Sequence, residues 1–190
     1  RPAMTSVGAV AVPLDDLVLM YGDHMGRPGL RAAIAGSGSG GEARAGSGGA
    51  PADRLTPDDV LVTPGAAAAL FIISTSLLRP GDHLIVARPN YATNLETPRA
   101  IGADVSHLDL RHEDDWVVDP DRIAALLTPR TTLVSLTNPH NPTGQVMPAA
   151  TVRAIVDLVE AHPRARLLMD ETYREMAFGG PQPVTAALSE

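Results

Sequence analysis

Thr137-Asn138-Pro139-His140-Asn141-Pro142-Thr143-Gly144 is the stretch that decides how this chain folds. It follows Thr131 to Leu136, a run of apolar and β-branched residues that reads as a buried strand. Two Pro and a Gly then stop the strand and force a turn at its C-terminal end. That end is where open α/β sheets bind ligands. One β-α unit later, Leu167-Leu168-Met169 reads as another strand and runs into Asp170-Glu171-Thr172-Tyr173. Asn141 and the pair Asp170 and Tyr173 are therefore predicted to leave strand ends on the same rim of one sheet.

The flanking sequence repeats this plan. Val60 to Thr63 reads as a short strand turned by Pro64-Gly65. Ala66 to Leu78 reads as a helix, apolar almost all round and so predicted to be buried. His83 to Ala87 is a strand, and Arg88-Pro89-Asn90-Tyr91 turns it into a helix that stops at Gly102. Asp104 to Leu110 is a strand, and Asp119-Pro120 opens a helix through Leu127, an acid and a Pro at its first turn. Pro148 to His162 is amphipathic, with Val152, Ile155, Val156 and Val159 at helical spacing, and Arg166 to Met169 is the last clear strand. Repeated β-α units predict an α/β fold of three layers, α-β-α, around a mostly parallel sheet. Upstream, Pro28 opens a helix through Ala35. Gly36 to Ala50 is nearly all Gly, Ser and Ala, and reads as a flexible loop rather than a domain boundary. It is no phosphate loop, since no G-K-[ST] closes it and no strand precedes it.

With 190 residues, 44% of them hydrophobic, the chain can bury one real core. A formal net charge of −7 argues against a nucleic-acid or anionic-membrane surface as the main partner. There is no Cys, so disulfides and thiolate zinc sites are excluded. No apolar run is long enough to span a bilayer. Arg1-Pro2-Ala3-Met4 lacks the basic-then-apolar plan of a signal peptide, so a cytoplasmic location is expected. All fifteen basic residues are Arg and none is Lys. A general bias toward Ala, Arg, Gly and Pro accounts for that skew, but it has a chemical consequence.

The pairing of NPHNPTG with D-E-T-Y some thirty residues later, each after a strand, resembles the class I/II aminotransferases, fold type I enzymes that use pyridoxal 5′-phosphate (PLP). The resemblance runs from about Tyr21 to the end of the chain. It implies an N-terminal arm at 1–20, which is otherwise a frayed terminus, and a partial large domain at 21–190, truncated before a C-terminal small domain. Tyr21, Gly26, Pro28, Leu30 and Arg31 resemble the family's Y-x4-G-x-P-x-L-R pattern. There the Tyr reaches the cofactor phosphate of the partner subunit in a homodimer. Outside the resemblance, Tyr21 is a half-buried aromatic before a helix.

PLP carries a phosphate dianion, and a helix N-terminus is a ready anion site. Gly65, Ala66 and Ala67 lie at such an entrance, where the family has its phosphate loop; the plain alternative is a buried helix start. No Ser or Thr hydroxyl stands at 66 or 67, which leaves backbone contacts only. Tyr91 stands where the family places an aromatic that stacks on the pyridine ring; a turn Tyr covering the core edge is equally compatible with spacing. Asp170 is the candidate carboxylate for the ring nitrogen, because an opposite charge favours the protonated form. Asn141 and Tyr173 are candidate donors to the ring 3′-oxygen. Pro139 and Pro142 are expected to aim Asn141, and His140 reads as packing. Glu171 has no assigned role. His107 and His112 with Glu113-Asp114-Asp115 read as a solvated acidic loop rather than a metal site.

Family members bind PLP as a Schiff base on a Lys downstream of D-x-x-Y, and many grip the substrate carboxylate with a later Arg. No residue in this chain can play that Lys, so no catalytic residue is assigned. Val184 to Glu190 reads as the lead-in to the strand before it. A partial chain of a full-length aminotransferase, a split gene and a degenerate copy are all compatible with this. The resemblance implies transfer of an amino group from an amino acid to a 2-oxo acid, in amino-acid metabolism and biosynthesis. Another fold type I PLP enzyme (β-lyase, decarboxylase or amino-acid cyclase) shares the cofactor contacts. A non-catalytic domain of the same fold is the reading that the missing Lys favours.

Overall fold

A computed structural model describes residues 21–38, 55–178 and 184–188 of the chain. Four strands, β1 (His83–Arg88), β2 (Asp104–Asp109), β3 (Thr131–Thr137) and β4 (Arg166–Asp170), form one sheet in the order β2-β1-β3-β4. Every neighbouring pair is parallel. Five α-helices accompany them: α1 (Pro28–Gly38), α2 (Ala66–Leu77), α3 (Ala92–Ile101), α4 (Pro120–Leu126) and α5 (Ala149–Glu160).

Side chains alternate across a strand, so the sheet sorts its apolar residues onto two faces. Leu84, Val86, Leu133 and Leu168 pack with Leu70 and Leu78, on the side of α2 and α3. Ile85, Val134 and Leu136 pack with Ile123 of α4 and with Val152, Ile155 and Val159 of α5. Central strands covered on both faces need apolar residues at consecutive positions. That is why β1 and β3 read as unbroken runs instead of alternating ones. Local signals set several ends. Asp119 caps α4 by accepting the Asp121 N–H at 2.9 Å, with Pro120 in the first turn. Gly102 ends α3 at φ 86°, a left-handed conformation that costs glycine little.

The strand order places the site. From β1 the chain steps outward to β2, crosses back over β1 to β3, and continues to β4. The helix leaving β1 therefore packs on one face and the helix leaving β3 on the other. In open α/β sheets, the C-terminal ends of two such strands are where ligands bind.

The opposite rim is closed by polar side chains. His83 is buried there, with Nδ1 2.7 Å from Thr131 Oγ1 and Nε2 2.9 Å from Ser106 Oγ. It links β2, β1 and β3. Arg130 pairs with Asp104 at 2.6 Å and Arg164 with Asp82 at 3.0 Å.

Three expectations need correction. Val60–Thr63 is not a strand. Among the described residues no strand lies beside it, and the Val62 N–H bonds to the Met25 carbonyl at 2.9 Å. Gly26 makes this approach possible: a Cβ there would lie 2.5 Å from Val62 Cβ. Helix α2 is not buried. Leu70 and Ser74 are covered, but Phe71 is 55% and Ile72 40% exposed, because among the described residues nothing packs on its outer side. Helix α1 continues through residues 36–38, expected to begin a loop; residues 39–50 lie outside the described residues, as does the expected arm at 1–20. Separately, Thr185–Leu188, inside the stretch read as a lead-in, forms a 3-10 turn, tied by Glu171 Oε1, which accepts from the Thr185 N–H at 2.9 Å and its hydroxyl at 2.6 Å. Those two bonds give Glu171 a structural use that its place in the sequence does not suggest.

Two outcomes test this packing. Ile155→Ala removes a fully buried side chain from the α5 side of the core and is expected to lower stability by about 2–5 kcal/mol in urea unfolding. Burial, followed by the nearby Arg130 charge, holds the His83 pKa below its ordinary value. Above a pH of about 6.5 the ring is uncharged in both folded and unfolded chains. Below it the unfolded chain takes up the proton first, so stability falls as pH drops toward the folded value. The urea midpoint is expected to decline across that window, and His83→Gln to decline less.

Candidate active site at the strand ends

Strands β1, β3 and β4 deliver three loops to the same rim. Asp170 is the last residue of β4 and pairs in register with Thr137, the last of β3. The Asn138 N–H donates to the Asp170 carbonyl at 2.9 Å. The Asn138–Gly144 loop therefore starts directly beside Asp170, as the two sequence motifs require.

The two Asn residues of that loop have different surroundings. Asn138 is buried, and its Oδ1 accepts the Met147 N–H at 2.9 Å. It fixes the path of the chain from β3 into α5. The Asn141 side chain makes no hydrogen bond to the described residues, so its amide is free for a ligand. The loop closes on itself through Gly144 N–H to His140 carbonyl (2.7 Å) and His140 N–H to Gln145 carbonyl (2.8 Å). The bonds before Pro139 and Pro142 are cis, as is Arg88-Pro89.

Tyr91 stands on the facing loop, after β1, and is about half exposed. It is held through Asn90, whose Oδ1 collects three donors: the Tyr91 N–H at 2.7 Å, Asn94 Nδ2 at 3.1 Å and Thr137 Oγ1 at 3.4 Å. Asn90 Nδ2 donates to the Ala87 carbonyl at 3.1 Å. A buried polar residue is stable only when its groups are paired, and Asn94, itself buried, meets that condition against Asn90 and Ser135. Sequence reasoning missed Asn90, Asn94 and Asn138. A lone Asn in a turn or helix has no signature until its partners on other elements are known.

Asp170 presents its carboxylate at the rim. Oδ1 accepts from the Thr172 N–H at 3.1 Å and its hydroxyl at 2.6 Å; Oδ2 has no partner among the described residues. Tyr173, 39% exposed, begins the next turn, and its phenol is likewise unpaired. Gly65, at φ 90°, caps the start of α2. The first-turn N–H groups of Ala66, Ala67 and Ala68 bond to no described residue, and the space around the Gly65 Cα is open. Tyr21, expected to be half-buried outside the resemblance, is 97% exposed.

His140 does more than pack. Its ring is buried, with Nε2 3.0 Å from the Pro89 carbonyl and Nδ1 2.8 Å from Thr143 Oγ1. Burial lowers its pKa, opposed in part by the bond to Pro89. His112 stacks on Trp116, ring centres 5.8 Å apart. Among the described residues no cluster of acidic and His side chains is arranged to hold a metal, and no helix is long and apolar enough to cross a membrane. A cleft of about 1050 Å³ runs along the outer edge of β4, between Ile73, Leu133, Leu168, Val156 and Thr185. It belongs to the unpaired side of the sheet; Asp170, Asn141 and Tyr91 do not line it.

The family model for aminotransferase class I and II matches residues 16–190. The chain is 40% identical over 131 residues to an arginine–pyruvate transaminase of Pseudomonas aeruginosa, covering 69% of this chain and 33% of that protein. It is 34% identical over 126 residues to an aspartate/prephenate aminotransferase of Thermus thermophilus, covering 66% and 32%. The solved alanine aminotransferase of Pyrococcus furiosus superposes with a TM-score of 0.76 at 30% identity, over 90% of this chain and 41% of that one. The chain thus spans about a third of the length of the curated relatives it matches.

The contrast between the two Asn residues can be measured. Asn138→Ala strands a buried N–H and is expected to cost about 1–3 kcal/mol in urea unfolding. Asn141→Ala breaks no internal bond and is expected to stay within about 0.5 kcal/mol of the parent.

Proposed function

The chain belongs to the aminotransferase class I and II family, and on that premise we propose that it forms the cofactor-binding part of a PLP-dependent aminotransferase acting on an amino acid and a 2-oxo acid. What supports this reading is a set of polar groups with no partner among the described residues: the Asn141 amide, the Tyr173 phenol, Asp170 Oδ2 and the first-turn N–H groups of α2. These groups are partly or fully open to solvent, so a ligand can reach them without breaking an internal bond. Their chemistry fits a flat, phosphate-bearing heterocycle.

Each residue has a distinct task in this proposal. The α2 entrance at Gly65, Ala66 and Ala67 holds the phosphate through backbone N–H groups and the helix dipole. Tyr91 lies against one ring face. Asp170 holds the proton on the ring nitrogen, since a neighbouring carboxylate favours the charged form. Asn141 and Tyr173 donate to the ring 3′-oxygen. When bound, the cofactor supplies an electron sink for bonds broken at the amino-acid α-carbon. The amine that anchors it must come from outside these residues, because none of the 190 is Lys. Residues 21–190 act as the large domain. A homodimer and a cytoplasmic location complete the proposal; the exposed apolar side of α2 and the projecting Tyr21 support the dimer.

Product analysis on the complete protein tests this. Given a panel of amino acids, it is expected to convert 2-oxoglutarate or pyruvate to the matching amino acid and to release nothing without a 2-oxo acid. Ammonia or carbon dioxide released without an acceptor would favour a lyase or decarboxylase instead. Asp170→Ala is expected to lower kcat/KM about 100-fold or more, the scale on which a removed electrostatic group acts.

A further inference from the structure

We propose that His140 is a positioning residue that joins the loop carrying Asn141 to the loop carrying Tyr91, so that both are set as one unit before a ligand arrives. This rests on reading Asn141 and Tyr91 as cofactor contacts. The two loops follow β3 and β1, the strands whose helices leave to opposite faces of the sheet. Nothing in the backbone ladder holds them together past the strand ends. Among the described residues, one polar contact crosses between them beyond the strands: His140 Nε2 to the Pro89 carbonyl, at 3.0 Å. The remaining link, Thr137 Oγ1 to Asn90 Oδ1 at 3.4 Å, lies at the strand end itself.

The chemistry of the contact fixes the ring. A carbonyl only accepts, so Nε2 carries the proton and donates it to Pro89. Nδ1 then accepts the Thr143 hydroxyl, at 2.8 Å. Both nitrogens are engaged, the residue is 4% exposed, and burial favours the uncharged ring. A side chain so fully used cannot turn without losing two bonds. Its own residue adjoins Asn141, and Pro89 lies two residues before Tyr91. A displacement of either loop is therefore passed to the other through one rigid ring.

Two substitutions separate this link from ordinary packing. The His140→Asn amide reaches Thr143 but not Pro89, whereas the His140→Gln amide reaches the position of Nε2. In the complete protein, free of cofactor, His140→Asn is expected to speed amide exchange about tenfold at Tyr91 and Asn94 while β1 and β3 amides keep parent rates. His140→Gln is expected to restore slow exchange at both. Affinity for pyridoxine 5′-phosphate, which has no aldehyde and needs no Lys, is expected to fall about tenfold in His140→Asn and to recover in His140→Gln. Parent-like exchange at Tyr91 and Asn94 in His140→Asn overturns the link while leaving the cofactor reading intact. Failure of the unsubstituted protein to bind pyridoxine 5′-phosphate overturns that reading, and with it the purpose assigned to His140.

Discussion

Parallel pairing is the constraint from which the rest follows. A parallel strand must be entered from the same end as its neighbour, so every connection has to cross the full height of the sheet. The helices that make these crossings cover both faces, which forces the middles of the central strands to be largely apolar and exports polar chemistry to the strand ends. Where the chain turns back across β1 to reach β3, the covering helices part. The rim where β1, β3 and β4 end is where this fold can bring Tyr91, Asn141 and Asp170 without opening the core.

The two rims of the sheet handle their polar groups in opposite ways. At the strand starts, His83, Thr131, Ser106, Arg130 and Asp104 satisfy one another, and the ends are sealed. At the strand finishes, Asn90, Asn94, Asn138 and His140 are satisfied internally, while Asn141, Tyr173 and one oxygen of Asp170 are not. The paired residues hold the rim in place, and in the proposed function the unpaired ones meet the ligand. A catalytic constellation needs this division, since contacting groups must be held near their working geometry by neighbours that are themselves locked.

Much of this was legible in the residues. The apolar runs of β1 and β3, the Asp119-Pro120 cap and the valines of α5 each carry a local signal, and each element lies within a residue or two of its predicted span. What failed needed information from distant chain. Val60–Thr63 has strand-like residues but no neighbour to pair with. Helix α2 is apolar on all sides, which predicts a covered helix without saying what covers it. Within NPHNPTG, sequence singled out Asn141, but nothing local distinguishes it from Asn138; only the bond to Met147 does. His140 read as packing because the Pro89 carbonyl it meets lies 51 residues earlier.

The central claim is that Asp170, Asn141 and Tyr91 face one planar ring. A crystal structure of the complete protein with its cofactor tests it most directly, through the distance from the pyridine nitrogen to the free oxygen of Asp170. The account predicts a hydrogen bond of about 2.6–3.2 Å, with the ring against Tyr91 and the phosphate at the first turn of α2. A cofactor lodged elsewhere, or a ring whose nitrogen turns away from Asp170, would contradict it.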